Sequence, residues 1–228
     1  MYDSVAASAL DWWAEAGIDA LAEDMPRNWL AVTAAAEPAH VETKPATIAL
    51  PGTLETFRAW LLSDPSVPGG ANGRIDAMGD AASGIAIVVD MPEPEDRLAG
   101  GLLSGEVGAL FDRMLGAIQL GRDSIYLIPF SPVRATSGRL GAAELAALAP
   151  LLVHHLTLVA PKKLLLLGDA PVQALLDRPA ARAREAVHAV PIGAVDVPTV
   201  ASLHPRLVHL KRDYRALAWD DLQRFAAL

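Results

Sequence analysis

Two side chains in this sequence are placed where aimed chemistry can be built. Asp90 closes the apolar run GIAIVVD (84–90), and His204 ends the segment VDVPTVASLH (195–204) immediately before Pro205. A proline fixes its own φ and drives the preceding residue toward an extended backbone, so the imidazole of His204 has a constrained direction. A histidine held in this way can donate a hydrogen bond to charge developing on a substrate oxygen, an interaction worth about 3–4 kcal/mol in a dry site. A carboxylate at a strand's end can orient or activate a water as a general base. Each also has a plainer reading. His204 suits a surface loop beside a helix cap, and Asp90 suits a loop start where a carboxylate accepts backbone N–H groups.

Other chemistry is poorly represented. GEVG (105–108) opens a helix whose N–H groups could receive an anion, but Glu106 would repel one. His154 and His155 are adjacent, so they do not share a helix face, and His204 with His209 lacks a third ligand. No metal site is expected. Gly-x-Ser-x-Gly, Walker A and Gly-x-Gly-x-x-Gly patterns are absent. With no cysteine among 228 residues, disulfides, zinc–thiolate sites, iron–sulfur clusters and thiol nucleophiles are excluded, and no cofactor is expected.

The elements that must hold Asp90 and His204 follow from the apolar pattern. GIAIVVD (84–90), SIYLIPF (124–130) and KKLLLLG (162–168) read as buried parallel strands, with VHAVPI and VDVPTVASL as further short strands. Between them, Val107, Leu110, Phe111, Met114, Leu115 and Ile118 keep the helical rhythm over 105–121. Helices are also predicted at 4–22, around GTLETFRAWLLSD, at 141–160, after Asp169 as a cap with Pro171 in the first turn, and over KRDYRALAWDDLQRFAAL. Strand–helix alternation predicts an α/β fold, a doubly wound sheet with helices on both faces. Ligands in such folds sit beyond the carboxyl ends of the strands, which brings the segments after Asp90, Phe130 and Gly168 and the stretch at His204 to one edge.

The chain has 52% apolar and 20% charged residues, as a globular protein does. The N-terminus carries acids where a signal peptide needs positive charge, and no run of about 18 apolar residues is evident, so the expected location is the cytoplasm, away from membranes. Net charge is −8, and it is uneven: residues 1–60 hold nine acids and three bases, whereas 204–224 hold five Lys/Arg and three Asp. Overall acidity argues against nucleic acid, while the C-terminal strip allows a local contact or a plain solvated helix face. Residues 24–50 read as a proline-broken connector, and 64–84, rich in Gly, Pro, Ser and Asp, as the best linker. The expected organisation is an acidic helical extension (1–64), a Gly/Pro-rich connector (65–84) and an α/β domain (85–228).

Taken in order, VVDMPEPEDR, GEVGALFDRMLGAIQLGRDSIYLIPFSPVR, LVAPKKLLLLGDAPVQALL and SLHPRLVHLKRDYRALAWDDL resemble the uracil-DNA glycosylase superfamily. The iron–sulfur class is nearest, in its proteobacterial branch, whose leader ALDWWAEAGIDALAED also resembles. The resemblance implies a three-layer α/β/α domain with a central, mostly parallel four-stranded sheet, which extrudes a base and hydrolyses its N-glycosidic bond. It implies Asp90 and His204 as catalytic residues, with His204 stabilising the departing base. It implies Met91, Pro92, Leu102, Leu103, Pro129 and Phe130 around the base, and Arg134, Arg206, Lys211 and Arg212 on DNA phosphates. The departures are specific. Glycines flanking the first motif are lost, and Glu93 puts a charge where the backbone approaches DNA. Leu102 or Leu103 stands for a stacking phenylalanine, Pro129 for the asparagine that reads uracil, and Val133 for a cluster cysteine. Two readings stay open: an active, divergent glycosylase on uracil or another damaged base, and a catalytically silent scaffold that binds DNA, or a protein partner through its acidic N-terminal region.

Overall fold

The computed structural model describes residues 50–228 together with Trp12, which is helical. The rest of the helix expected at 4–22 and nearly all of the connector expected at 24–50 lie outside the described residues. Ala49–Leu228 forms one compact unit.

The sheet has six strands in the order β1-β3-β2-β4-β6-β5. Its centre is four parallel strands: β2 (Ile85–Val89), β3 (Tyr126–Pro129), β4 (Lys163–Leu167) and β6 (Val195–Ser202). The two additional strands are antiparallel edges, β1 (Met78–Gly79) on β3 and β5 (Val187–Ile192) on β6. β1 is two residues in a glycine-rich stretch and carries no apolar period. β5 and β6 form a hairpin that turns at Gly193, in the left-handed region at φ 62°.

Side chains alternate across the sheet and create two cores. Ala86, Val88, Ile128, Leu164 and Leu166 face one layer, with α1 (Leu54–Ser63), α4 (Ala142–Val159) and α5 (Asp169–Leu176). Ile87, Val89, Leu127, Leu165 and Leu167 face the other, with α3 (Gly105–Ala117) and α8 (Tyr214–Ala226). The result is the expected three-layer architecture. Short helices α2 (Asp96–Ala99), α6 (Ala180–Ala183) and α7 (Pro205–Leu210) and a 3-10 turn at Arg122–Ser124 complete the described elements. α7 is an additional short helix ahead of the closing helix predicted over KRDYRALAWDDLQRFAAL, which appears as α8. Among the described helices, α4 alone is long and apolar enough to cross a membrane by length and composition, an exception to the expectation that no such run exists. Its Leu148, Leu152, His155 and Leu156 are buried against the sheet.

No break in packing occurs at residues 64–65. Phe57 of α1 is 0% exposed and meets the rings of His154 and His155 edge-on, at 4.8 and 5.4 Å. The stretch read as a connector buries Val67, Ile75 and Ala77. Arg74 pins it by donating to the carbonyls of Leu61, Asp64, Val67 and Gly70 at 2.7–2.9 Å. Composition marks 64–84 as irregular, and irregular it is, but its backbone is held by one guanidinium and its apolar residues belong to the core. Phe57→Ala is expected to lower stability by about 3–5 kcal/mol in urea denaturation with a single shared transition. An unchanged midpoint would mean that α1 is not part of this unit.

Candidate active site

The carboxyl ends of the parallel strands converge as the alternation predicts. Val89 pairs with Leu167, and Leu167 with Ser202. Beyond them, Ser131 donates its N–H to the Asp90 carbonyl at 3.0 Å, and Gly168 donates to the Ser202 carbonyl at 3.1 Å.

Asp90 turns toward α5. Its Oδ1 accepts the Ala170 N–H at 2.9 Å, so the acid that ends β2 caps the helix that follows β4. The cap of α5 is therefore not Asp169, which is the helix's first residue and exposed. Gly168 makes the approach feasible. It sits at φ 109°, and a Cβ there would collide with the Asp90 carboxylate. Burial pushes Asp90 up to about 6, with Asp169 and Glu93 adding to the effect and the Ala170 N–H and Arg206 opposing it. Asp90 and Met91 border an open cleft of about 570 Å³ shared with Arg139, Asp169, Gln173 and Arg178.

His204 is the N-cap of α7, with Pro205 in the helix's first turn. Its Nδ1 accepts the Arg206 N–H at 3.2 Å, which leaves the proton of the neutral ring on Nε2. His204 is 5% exposed, and burial, then the charges of Arg206 and Arg134, hold it down to about 3, so the imidazole is neutral at ordinary pH. The helix-cap reading is thus correct in part, but the histidine is buried, and Nε2 has no hydrogen-bond partner among the described residues.

Glu93 dominates this region, and the sequence reading places it wrongly, on the DNA-facing surface. It is 3% exposed. Its Oε1 accepts from Arg206 Nε at 2.8 Å and lies 3.7 Å from His204 Nδ1, while Oε2 lies 3.9 Å from Arg134 Nη1. Arg134 also donates to the Pro92 carbonyl at 3.0 Å. Two of the four arginines and lysines expected on phosphates are therefore held by one buried carboxylate. Lys211 and Arg212 are exposed. The signal for Glu93 was the pair of loop arginines brought to the same edge, which need a counter-charge when buried.

The remaining predicted base contacts are redistributed. Leu102 and Leu103 are 0% and 1% exposed in the core with Phe111 and Leu115, so neither offers a surface for stacking. Asp96 pulls that loop inward by accepting the N–H groups of Glu93, Leu103 and Ser104 at 2.7–2.9 Å. Pro129 and Phe130 line an apolar void of about 20 Å³ near Leu148, Leu152 and His155, on the α1/α4 side of the sheet. Pro92 lies instead with Glu93 and Arg134 in a recess of about 210 Å³. An iron–sulfur cluster does not fit these residues. The chain has no thiolate to offer, and Val133 packs against Gly69 so closely that a Cβ there would collide with it.

Linkage gives His204 and Asp90 opposite slopes with pH. Between about 6.5 and about 3 the unfolded chain protonates His204 and the folded one does not, so stability from this group falls as pH drops. Between 3.8 and about 6 the folded chain holds a proton on Asp90 that the unfolded chain has lost, so stability from this group falls as pH rises. Asp90→Asn keeps an oxygen for the Ala170 N–H and removes the second slope. Its stability relative to the parent is expected to grow by roughly 1–2 kcal/mol between pH 4 and pH 7, after allowance for partial exposure. Urea titrations across that range read the difference, and a constant offset would refute the raised proton affinity.

No curated protein matches the chain. The family model described as the uracil DNA glycosylase superfamily matches residues 77–223, which takes in β1 through nearly all of α8 and includes Asp90, Glu93, His204 and Arg206. The chain belongs to the uracil DNA glycosylase superfamily.

Proposed function

We propose that this chain hydrolyses the N-glycosidic bond of a base flipped from DNA, uracil or a related damaged base. A glycosylase-like function in general goes with the superfamily domain. The observation that carries the finer reading is His204. It is a neutral, buried ring whose Nε2–H has no partner among the described residues, aimed by a proline and a helix cap. A donor of this kind does not have to give up a proton to stabilise an oxyanion, and it strengthens as charge develops on the departing base. Asp90 supplies the general base. A carboxylate raised to about 6 is a better proton acceptor than an ordinary aspartate and is still ionised at neutral pH. DNA phosphates would meet the exposed Lys211 and Arg212, while Arg134 and Arg206 stay engaged with Glu93.

One observation favours a second reading, in which the scaffold binds DNA or a protein without turnover. Glu93 fills the neighbourhood of His204 with a carboxylate and claims both half-buried arginines, Arg134 and Arg206. Release of base from a single-stranded oligonucleotide carrying one uracil, read by strand cleavage at the abasic site, separates the two. Turnover is expected from the parent chain, with His204→Ala about 10²–10³ slower. No release at micromolar protein over hours, together with salt-sensitive DNA binding, would establish the second reading and overturn the first.

A further inference from the structure

We infer that Arg206 is a second electrophilic donor of this site, its Nη2–H joining the Nε2–H of His204 on the negative charge of the leaving base. The inference rests on the glycosidic reading for its reaction, though not for its binding chemistry.

Two buried side-chain atoms have no hydrogen-bond partner among the described residues, and they are His204 Nε2 and Arg206 Nη2. They lie two residues apart and are tied together. The Arg206 N–H donates to His204 Nδ1, and one oxygen of Glu93 takes Arg206 Nε at 2.8 Å while lying 3.7 Å from His204 Nδ1. Each group is therefore fixed at one end and unspent at the other. Glu93 holds the Nε end of the guanidinium and leaves Nη2, just as the backbone amide holds Nδ1 and leaves Nε2. Buried donors in folded proteins almost always meet an acceptor, so a pair that does not is matched to something from outside the chain. The guanidinium's charge also reaches Asp90, whose ionisation it favours, which places Arg206 in the field of both carboxylates.

Two unpartnered buried donors suit an oxygen rich in lone pairs and negative charge. They do not recognise the mixed donor–acceptor edge of a neutral base. That division agrees with Pro129, which lacks both a side-chain amide and a backbone N–H. The step then balances as follows. The water oxygen bonds to C1′ as its proton passes to the Asp90 carboxylate. The C1′–N bond breaks, and its electron pair leaves with the base, where it rests on an oxygen held by His204 and Arg206. Glu93 is a positioning residue in this scheme, acting through Arg206.

The test needs an anion that does not require turnover. Barbiturate is a pyrimidine already anionic at neutral pH. Calorimetry with the whole chain is expected to find barbiturate bound more tightly than uncharged uracil, and at least 10-fold more weakly by Arg206→Gln and by Arg206→Lys. The lysine keeps a cation for Glu93 but has no second arm, so it decides the matter even where the glutamine variant fails to fold. Barbiturate binding that is absent at millimolar concentration, or undiminished in Arg206→Lys, overturns the inference. In turnover, losing a donor makes the rate more sensitive to leaving-group acidity. The ratio of 5-fluorouracil to uracil release is expected to rise several-fold in Arg206→Lys, a change that a purely structural role would not produce. Arg206-dependent barbiturate binding without any base release would leave the anion site standing and remove the glycosylase reading. Release that is indifferent to Arg206 would do the reverse.

Discussion

A carboxylate taken out of water must keep cations within reach, and around Glu93 that requirement draws together three of the four segments at the carboxyl edge of the parallel strands. Arg206 comes from the segment after β6 and Arg134 from the segment after β3, and both close on a residue from the loop after β2. A buried carboxylate left without its half-buried guanidinium partners would be an uncompensated charge, which ties the three loops to one another. The direction of His204 follows from the same contact, since Arg206 both caps the ring through its backbone and meets Glu93 through its side chain. Asp96 plays the complementary part in the same loop. It takes three backbone N–H groups and turns Leu102 and Leu103 into core.

Asp90 shows how a structural contact can change the proton affinity of the group that makes it. Its oxygen completes the start of α5 across the sheet, and only a glycine at position 168 leaves room for it. The contact that holds the carboxylate in place also desolvates it. Desolvation outweighs the stabilising hydrogen bond and the nearby guanidinium, which is why its proton affinity rises. His204 is desolvated too, and for a base the same physics works in the opposite direction. The site thus pairs a carboxylate inclined to take a proton with an imidazole disinclined to take one.

The sheet was legible because its strands are continuous apolar runs ending on Asp90, Pro129–Phe130 and Gly168, and the strand ends differ from the apolar pattern by only a residue or two. β1 was not, since two residues leave no period to detect. The packing of 64–84 was hidden for another reason. Gly and Pro report backbone irregularity, but not whether an arginine will bind that irregular backbone to the core, as Arg74 does. The positions of Asp90 and His204 at the sheet's carboxyl edge were legible because strand ends and a His-Pro bond constrain direction locally. Glu93 was missed because its environment is made by residues 41 and 113 positions away, and no local pattern records such a meeting. Leu102 and Leu103 were misplaced for a different reason: their burial is decided nearby, by Asp96 drawing in the backbone of the same loop and by the helix that follows, and irregular loops carry no apolar period to show it.

The Val133–Gly69 contact and the carbonyl claw of Arg74 are made of packing and hydrogen bonds alone. Both are built from the polypeptide alone, so this part of the fold owes its shape to one guanidinium and one valine methyl and to no inorganic group.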